Sequence, residues 1–187
     1  MKIYIFRHGE TTYNHDKRFT GFDNPPLTEL GLQQAAIIAE KLKDKNFEIA
    51  YQTSLQRSKD TLKAVLQYHP DCREIIEDDR MIERNYGQLN GVTHEEFIAK
   101  KGEEKFNLIH RGFFEAPPDG ESFAMVETRV QSFIDNLLAK MRRENKNAVI
   151  SAHGNSIRLF RKIMENASIE ETVSWVIPYD NYYDYEV

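Results

Sequence analysis

Two histidine–glycine pairs are the residues best placed by type and spacing to do chemistry: Arg7-His8-Gly9-Glu10 near the start and Ala152-His153-Gly154-Asn155-Ser156 near the end. An imidazole attacks an electrophile when it is neutral, and an adjacent cation such as Arg7 lowers its pKa toward that state. Gly9 permits a sharp turn, which would let His8 present its ring at a sheet edge without crowding. His153-Gly154 repeats the pattern, followed by a helix whose first N–H groups are free to receive an anion. Arg57 is the third piece. It falls in the first turn of a helix that Ser54 would cap, where a cation opposes the helix dipole. A positive charge there makes physical sense if an anion shares the site; the alternative is an exposed arginine paired with Asp60. Two histidines and two arginines on one rim suit a phosphate, whereas guanidinium charges would repel a divalent metal. Cys72 is the only cysteine, so neither an internal disulfide nor a cysteine-based zinc site is expected.

Attack on a phosphate monoester also needs a general acid for the departing alkoxide. Glu83, in Ile82-Glu83-Arg84-Asn85-Tyr86-Gly87, is the candidate, on a loop-like segment able to reach over the pocket. The alternative for a glutamate in so charged a run is a solvated surface residue.

The elements that must position these groups follow from the hydrophobic pattern. Short apolar runs at Lys2 to Phe6, Phe47 to Gln52, Arg73 to Glu77, Asn147 to Ala152 and Tyr182 to Val187 read as strands. Thr28 caps a helix with Leu32, Ala35, Ala36, Ala39 and Leu42 on one side, and Ser54 caps another with Leu55, Ser58, Leu62, Val65 and Leu66. A long helix carries Phe123, Val126, Val130, Phe133, Leu137 and Met141 at spacings of three and four. Residues 11–26 read as a turn-rich loop, and residues 78–121 as short helices and loops broken by glycine and proline. Strands alternating with helices predict one domain over residues 1–187: an α/β three-layer sandwich, with a mostly parallel central sheet and helices on both faces. Ligands of such sheets bind beyond the carboxyl ends of the strands, where both histidine–glycine pairs fall.

Hydrophobic residues make up 40% and charged residues 29%, the balance of a soluble globular protein. No apolar run approaches the ~20 residues of a membrane span, and the gap between Lys2 and Arg7 is too short for a secretion signal. A cytoplasmic location and no membrane partner are expected. The net charge of -5 and the absence of a basic stripe argue against nucleic acid. Trp175 reads as core. The expected state is a monomer or a homodimer.

The ordered series resembles the histidine phosphatase superfamily, and within it the cofactor-dependent phosphoglycerate mutases. The residues that carry the resemblance are Arg7-His8-Gly9-Glu10-Thr11 with Asn14, Arg18-Phe19-Thr20-Gly21, Thr53-Ser54 with Arg57, Glu83-Arg84-Asn85-Tyr86-Gly87, Ala152 to Arg158, and Ile177-Pro178. The resemblance implies a phosphohistidine at His8, with Glu83 moving the proton and Arg7, Arg57 and His153 around the transferred phosphoryl group. Asn14 and Gly154 would assist there, and Thr20, Gly21, Tyr86 and Arg111 would contact the substrate. It implies a small phosphorylated substrate, no permanently bound cofactor, no metal, and priming by 2,3-bisphosphoglycerate. Three departures bear on the reaction. His110-Arg111 stands where mutases have two arginines, and His94 stands near where a substrate-binding lysine would fall. The chain also ends at Val187, where many mutases carry a closing tail, so water would compete for the phosphohistidine. Mutase and phosphomonoesterase both remain open from sequence. A third reading, a non-catalytic phosphate-binding module, expects a loss among His8, Arg7, Arg57, Glu83 and His153, and none is lost.

Overall fold

Lys2–Arg7 (β1), Ile49–Gln52 (β2), Glu74–Glu77 (β3), Ala148–Ala152 (β4) and Tyr182–Glu186 (β5) form one sheet in a computed structural model that describes residues 1–187. The order is β3-β2-β4-β1-β5, with β1, β2, β3 and β4 parallel and β5 antiparallel on the edge. The helices are Thr12–His15 (α1), Glu29–Leu42 (α2), Gln56–Leu66 (α3), His94–Lys101 (α4), Glu103–Arg111 (α5), Phe123–Glu144 (α6), Gly154–Glu165 (α7) and Ile169–Ser174 (α8). The predicted three-layer α/β architecture is what the chain adopts.

Alternation along β1 divides the core. Ile3 and Ile5 face α6 and α7, packing with Val130, Phe133, Leu137, Ile157 and Phe160. Tyr4 and Phe6 face α2 and α3, packing with Ile38, Leu42, Leu62 and Val65. Each such side chain contributes about 1.5–3 kcal/mol by leaving water. A third, smaller cluster of Phe19, Tyr86, Phe97 and Ile109 ties α4 and α5 to the loops beyond the strand ends. The chain leaves β1 toward the α2 face and β4 toward the α7 face, so a crevice opens between their carboxyl ends. Register aligns Arg7 with Ala152, and the His8 N–H donates to the Ala152 carbonyl at 3.1 Å. Both histidine–glycine pairs therefore emerge side by side.

Several local expectations are corrected. The buried line of α2 is Gly31, Ala35, Ile38, Ala39 and Leu42, while Ala36 is exposed and Leu32 is 57% exposed. Leu32 lies in the first turn of α2, at the margin of that buried face. Thr28 does cap α2, accepting from the Gly31 N–H at 3.0 Å. Ser54 does not cap α3. The capping position is Leu55, with no side-chain bond, and the Ser54 N–H goes instead to Asp79 Oδ1 at 2.8 Å. Leu66 is only half-buried. Within residues 11–26 lies the short helix α1, fixed by reciprocal bonds between Thr11 and Asn14. Gly9 is needed for close approach, since a Cβ there would lie 2.2 Å from the Gly31 carbonyl oxygen.

Candidate active site

His8 leaves the end of β1 with 1% of its surface exposed. Arg57 Nε donates to His8 Nε2 at 3.2 Å, and a guanidinium can only donate. Nε2 is therefore the unprotonated nitrogen, and Nδ1–H donates to the Gly9 carbonyl at 2.7 Å. Burial, then Arg57 and Arg7, hold the His8 pKa well below the ordinary histidine range. The result is a neutral imidazole with its Nε2 lone pair on the side of the cations, the state in which it can attack phosphorus.

Arg57 is also buried, and it is anchored from behind: Nη1 donates to the Asp23 carbonyl at 2.6 Å and Nη2 to the Gly21 carbonyl at 2.9 Å. Burial pushes its pKa down to about 10, which leaves it charged at neutral pH. Asp60, the partner an exposed arginine would have had, takes the Gln56 side chain instead. Gly21 has φ +49° and does not line the cavity; its carbonyl positions Arg57.

His153 follows β4, fully buried, its ring centroid 5.0 Å from that of His8. Its Nε2 lies 2.8 Å from Thr53 Oγ1, and its Nδ1 has no partner. Burial, then Arg57 and His8, lower its pKa well below the usual range. Arg7 Nη1 donates to the Ile177 carbonyl at 3.1 Å, its guanidinium lies 3.9 Å from the centre of the Tyr179 ring, and its Nε is buried without a partner. An unsatisfied buried polar atom costs about 1–3 kcal/mol. A tetrahedral oxyanion supplies acceptors to such groups, so these two atoms fit a phosphoryl group. Gly154 lies against Arg7, whose guanidinium carbon would be in ordinary contact, at 3.4 Å, with a Cβ at that position.

Glu83 is 7% exposed, not a solvated surface residue. Its Oε1 accepts from the N–H groups of Arg84 at 2.8 Å and Asn155 at 3.1 Å. Asn155 is the second residue of α7, so a free helix N-terminus holds the carboxylate. Asn155 also donates to the Tyr86 hydroxyl at 3.3 Å.

These groups face a cavity of about 270 Å³. Arg7, Asn14, Thr20, Glu83, Tyr86, Arg111 and Gly154 line it, while His8, Arg57 and His153 lie behind that lining. Five cations border the space, Arg7, Lys17, Arg18, Arg111 and Arg158, against one carboxylate, Glu83. A protein of net charge -5 thus concentrates positive charge in one crevice, which attracts anions. Lys17, Arg158 and Tyr179 had no role assigned from sequence. Arg158 carried a readable signal, standing four residues after Gly154 and so on the same face of α7. It donates to the Trp175 carbonyl at 3.0 Å and to Asn155 Oδ1 at 2.6 Å, and burial lowers its pKa to about 10. Trp175 itself is half-buried beneath the Arg161 guanidinium, 3.9 Å from the ring centre.

The family model described as histidine phosphatase superfamily (branch 1) matches residues 3–183. The chain belongs to that superfamily. This histidine phosphatase family member is accordingly an enzyme. It is 34% identical over 175 residues to the 2,3-bisphosphoglycerate-dependent phosphoglycerate mutase of Bartonella henselae, covering 92% of this chain and 85% of the relative. It is likewise 34% identical over 179 residues to 2,3-bisphosphoglycerate-dependent phosphoglycerate mutase 2 of Gloeobacter violaceus, covering 95% and 81%. Among solved structures, Bacillus stearothermophilus YhfR superposes with a TM-score of 0.87 at 25% identity, covering 100% of this chain and 91% of that one.

Proposed function

We propose that the protein transfers phosphoryl groups through a phosphohistidine at His8, acting as a 2,3-bisphosphoglycerate-dependent phosphoglycerate mutase. One observation carries the reading: a neutral imidazole whose Nε2 accepts from Arg57 at 3.2 Å, beside a cationic crevice in an anionic protein. His8 Nε2 forms a bond to phosphorus as the bond from phosphorus to the substrate oxygen breaks. Arg57 moves its Nε–H from His8 to a phosphoryl oxygen, and Arg7 Nε and His153 Nδ1 donate to the others. Fixed donors of this kind stabilise charge developing on the phosphoryl oxygens without reorganising. Glu83, held by two N–H groups at Oε1, gives a proton to the leaving alkoxide and takes one from the next attacking hydroxyl.

Priming supplies the first phosphoryl group. Arg7, Arg57 and His153 would hold the phosphate of 2,3-bisphosphoglycerate that is transferred, and Lys17, Arg18, Arg111 and Arg158 would hold its other anionic end. This reading places the enzyme in glycolysis, in the cytoplasm, as one domain spanning residues 1–187 and as a monomer or homodimer. No helix is long and apolar enough to cross a membrane.

One feature of the crevice favours a second activity, phosphomonoesterase action on a small phosphorylated metabolite or phosphoprotein. His94 and His110, bordering the cavity, stack in an aromatic group with Phe19 and Phe106, at ring separations of 4.7 to 6.3 Å. Burial lowers both pKa values, that of His110 to about 3, so both are neutral at pH 7. They grip an anionic substrate less firmly than lysine and arginine would, which eases the escape of intermediate. An enolase-coupled assay on 3-phosphoglycerate, run beside phosphate release, separates the two. Conversion dependent on 2,3-bisphosphoglycerate supports the mutase. Phosphate release with no 2-phosphoglycerate at any bisphosphate concentration leaves the phosphomonoesterase.

A further inference from the structure

Glu83 sits between two short 3₁₀ turns, Asp79–Met81 and Gly87–Leu89, on backbone that belongs to no strand or α-helix. Its main-chain groups must find partners elsewhere, and they converge on one ion pair. Arg129, on α6, donates through Nη1 to the carbonyls of Arg80 and Ile82, each at 2.8 Å, and through Nη2 to that of Glu83 at 3.0 Å. The same guanidinium makes a two-pronged contact with Glu121, with Nε to Oε1 and Nη2 to Oε2 both at 3.0 Å. Glu121 closes the loop: its Oε2 accepts from the Asn85 N–H at 2.9 Å, and its own N–H donates to the Asn85 carbonyl at 2.9 Å. Both side chains are only 18% exposed. Neither lines the catalytic cavity.

We propose that the Arg129–Glu121 pair is the positioning device of the proton-transfer step, holding the Glu83 main chain so that its carboxylate stays on the α7 N-terminus and faces the cavity. Arg129 and Glu121 touch no substrate; they act through Glu83. A planar guanidinium meeting three carbonyls and one carboxylate fixes orientation as well as distance, which a lysine ammonium does not. The inference rests on Glu83 being the proton carrier.

The device acts on one chemical demand. An alkoxide leaving group needs the proton, whereas a nitrophenolate leaves without it. Arg129→Lys and Glu121→Gln should each lower kcat for 3-phosphoglycerate dephosphorylation by roughly 10- to 100-fold, the cost of misplacing a catalytic group by about 1 Å. Release of p-nitrophenolate in the first turnover, before water must be activated, should stay within about threefold, and KM for 3-phosphoglycerate should hardly move. Glu83→Gln, measured alongside, should show the same selectivity. Thermal unfolding of each variant identifies any that fail to fold, and Glu121→Gln, which keeps the shape and one acceptor, then decides alone. Equal losses on both substrates, or no loss on either, in the folded variants while Glu83→Gln remains selective would overturn the positioning role. An unselective Glu83→Gln would instead overturn the proton-carrier reading, and the positioning role with it.

Discussion

Acid should unfold this protein early, because the histidines of the proposed site are buried in their neutral form. His8 and His153 are buried and held well below the ordinary histidine pKa, and burial pushes His110 down to about 3. In the unfolded chain each titrates near 6.5. Between that value and the folded pKa, unfolding takes up a proton that the folded state refuses. Stability is therefore fully present above about pH 6.5 and falls as pH falls. Each such histidine contributes a slope of up to about 1.4 kcal/mol per pH unit between its unfolded and folded pKa values. For His110, whose folded pKa is about 3, the loss from pH 7 to pH 5 is about 2 kcal/mol, and His8 and His153 add to it in the same direction, against a typical total of about 5–15 kcal/mol. As pH falls through the ordinary carboxylate range, Glu74 and Glu144, whose pKa values are lowered by hydrogen bonds from Lys140 and Lys146, act in the same direction. Urea unfolding followed by far-ultraviolet circular dichroism at pH 8, 7, 6 and 5 reads the slope directly. His110→Asn should remove about 2 kcal/mol of the change between pH 7 and pH 5. Stability that changes by less than about 1 kcal/mol between pH 7 and 5 would refute the neutral-histidine arrangement on which the chemistry is built.

Other outcomes follow from the same geometry. Glu83→Gln should slow first-turnover cleavage of 3-phosphoglycerate far more than that of p-nitrophenyl phosphate, compared by rapid mixing; equal losses would leave Glu83 a binding role only. Exhaustive EDTA treatment should leave activity unchanged, because the crevice pairs its histidines with Arg7 and Arg57; loss that zinc or magnesium restores would overturn the anion pocket. Replacing His94 with lysine and His110 with arginine together should lower the KM for 3-phosphoglycerate several-fold and reduce the ratio of phosphate release to mutase turnover. An unchanged ratio would show that the neutral aromatic wall does not control leakage.

Much of this architecture is legible in the amino-acid sequence. Alternating strands and helices dictate the three-layer fold, because two-residue and three-to-four-residue periods report which face is buried. The strand ends at Arg7 and Ala152 place both histidines on one rim, and register puts them side by side. The features that sequence does not reveal depend on contacts between distant residues. No local pattern says that Gly9 lies against Gly31, or that the Gly21 carbonyl backs Arg57. Thr93–Glu96 and Ser168–Glu171 are capping boxes that mark the starts of α4 and α8, a local signal inside segments whose glycines and short length hide the helical period. Glu83 reads as a surface residue until α7 and Arg129 are seen to hold it. Tyr179 follows a proline in a loop and carries no period at all.

Everything in the proposed chemistry depends on a covalent phosphoryl group on His8. It can be caught by rapid acid-free quenching after incubation with 2,3-bisphosphoglycerate, followed by mass spectrometry of the peptide containing Arg7-His8-Gly9. A phosphoryl group is expected on that peptide alone, labile to acid and stable to base, and absent from His8→Ala. That variant should also lose turnover by several orders of magnitude while remaining folded, since removing a covalent nucleophile raises the barrier by several kcal/mol. A His8→Ala enzyme within tenfold of the parent, or a phosphoryl group found on another residue, would contradict the phosphohistidine mechanism.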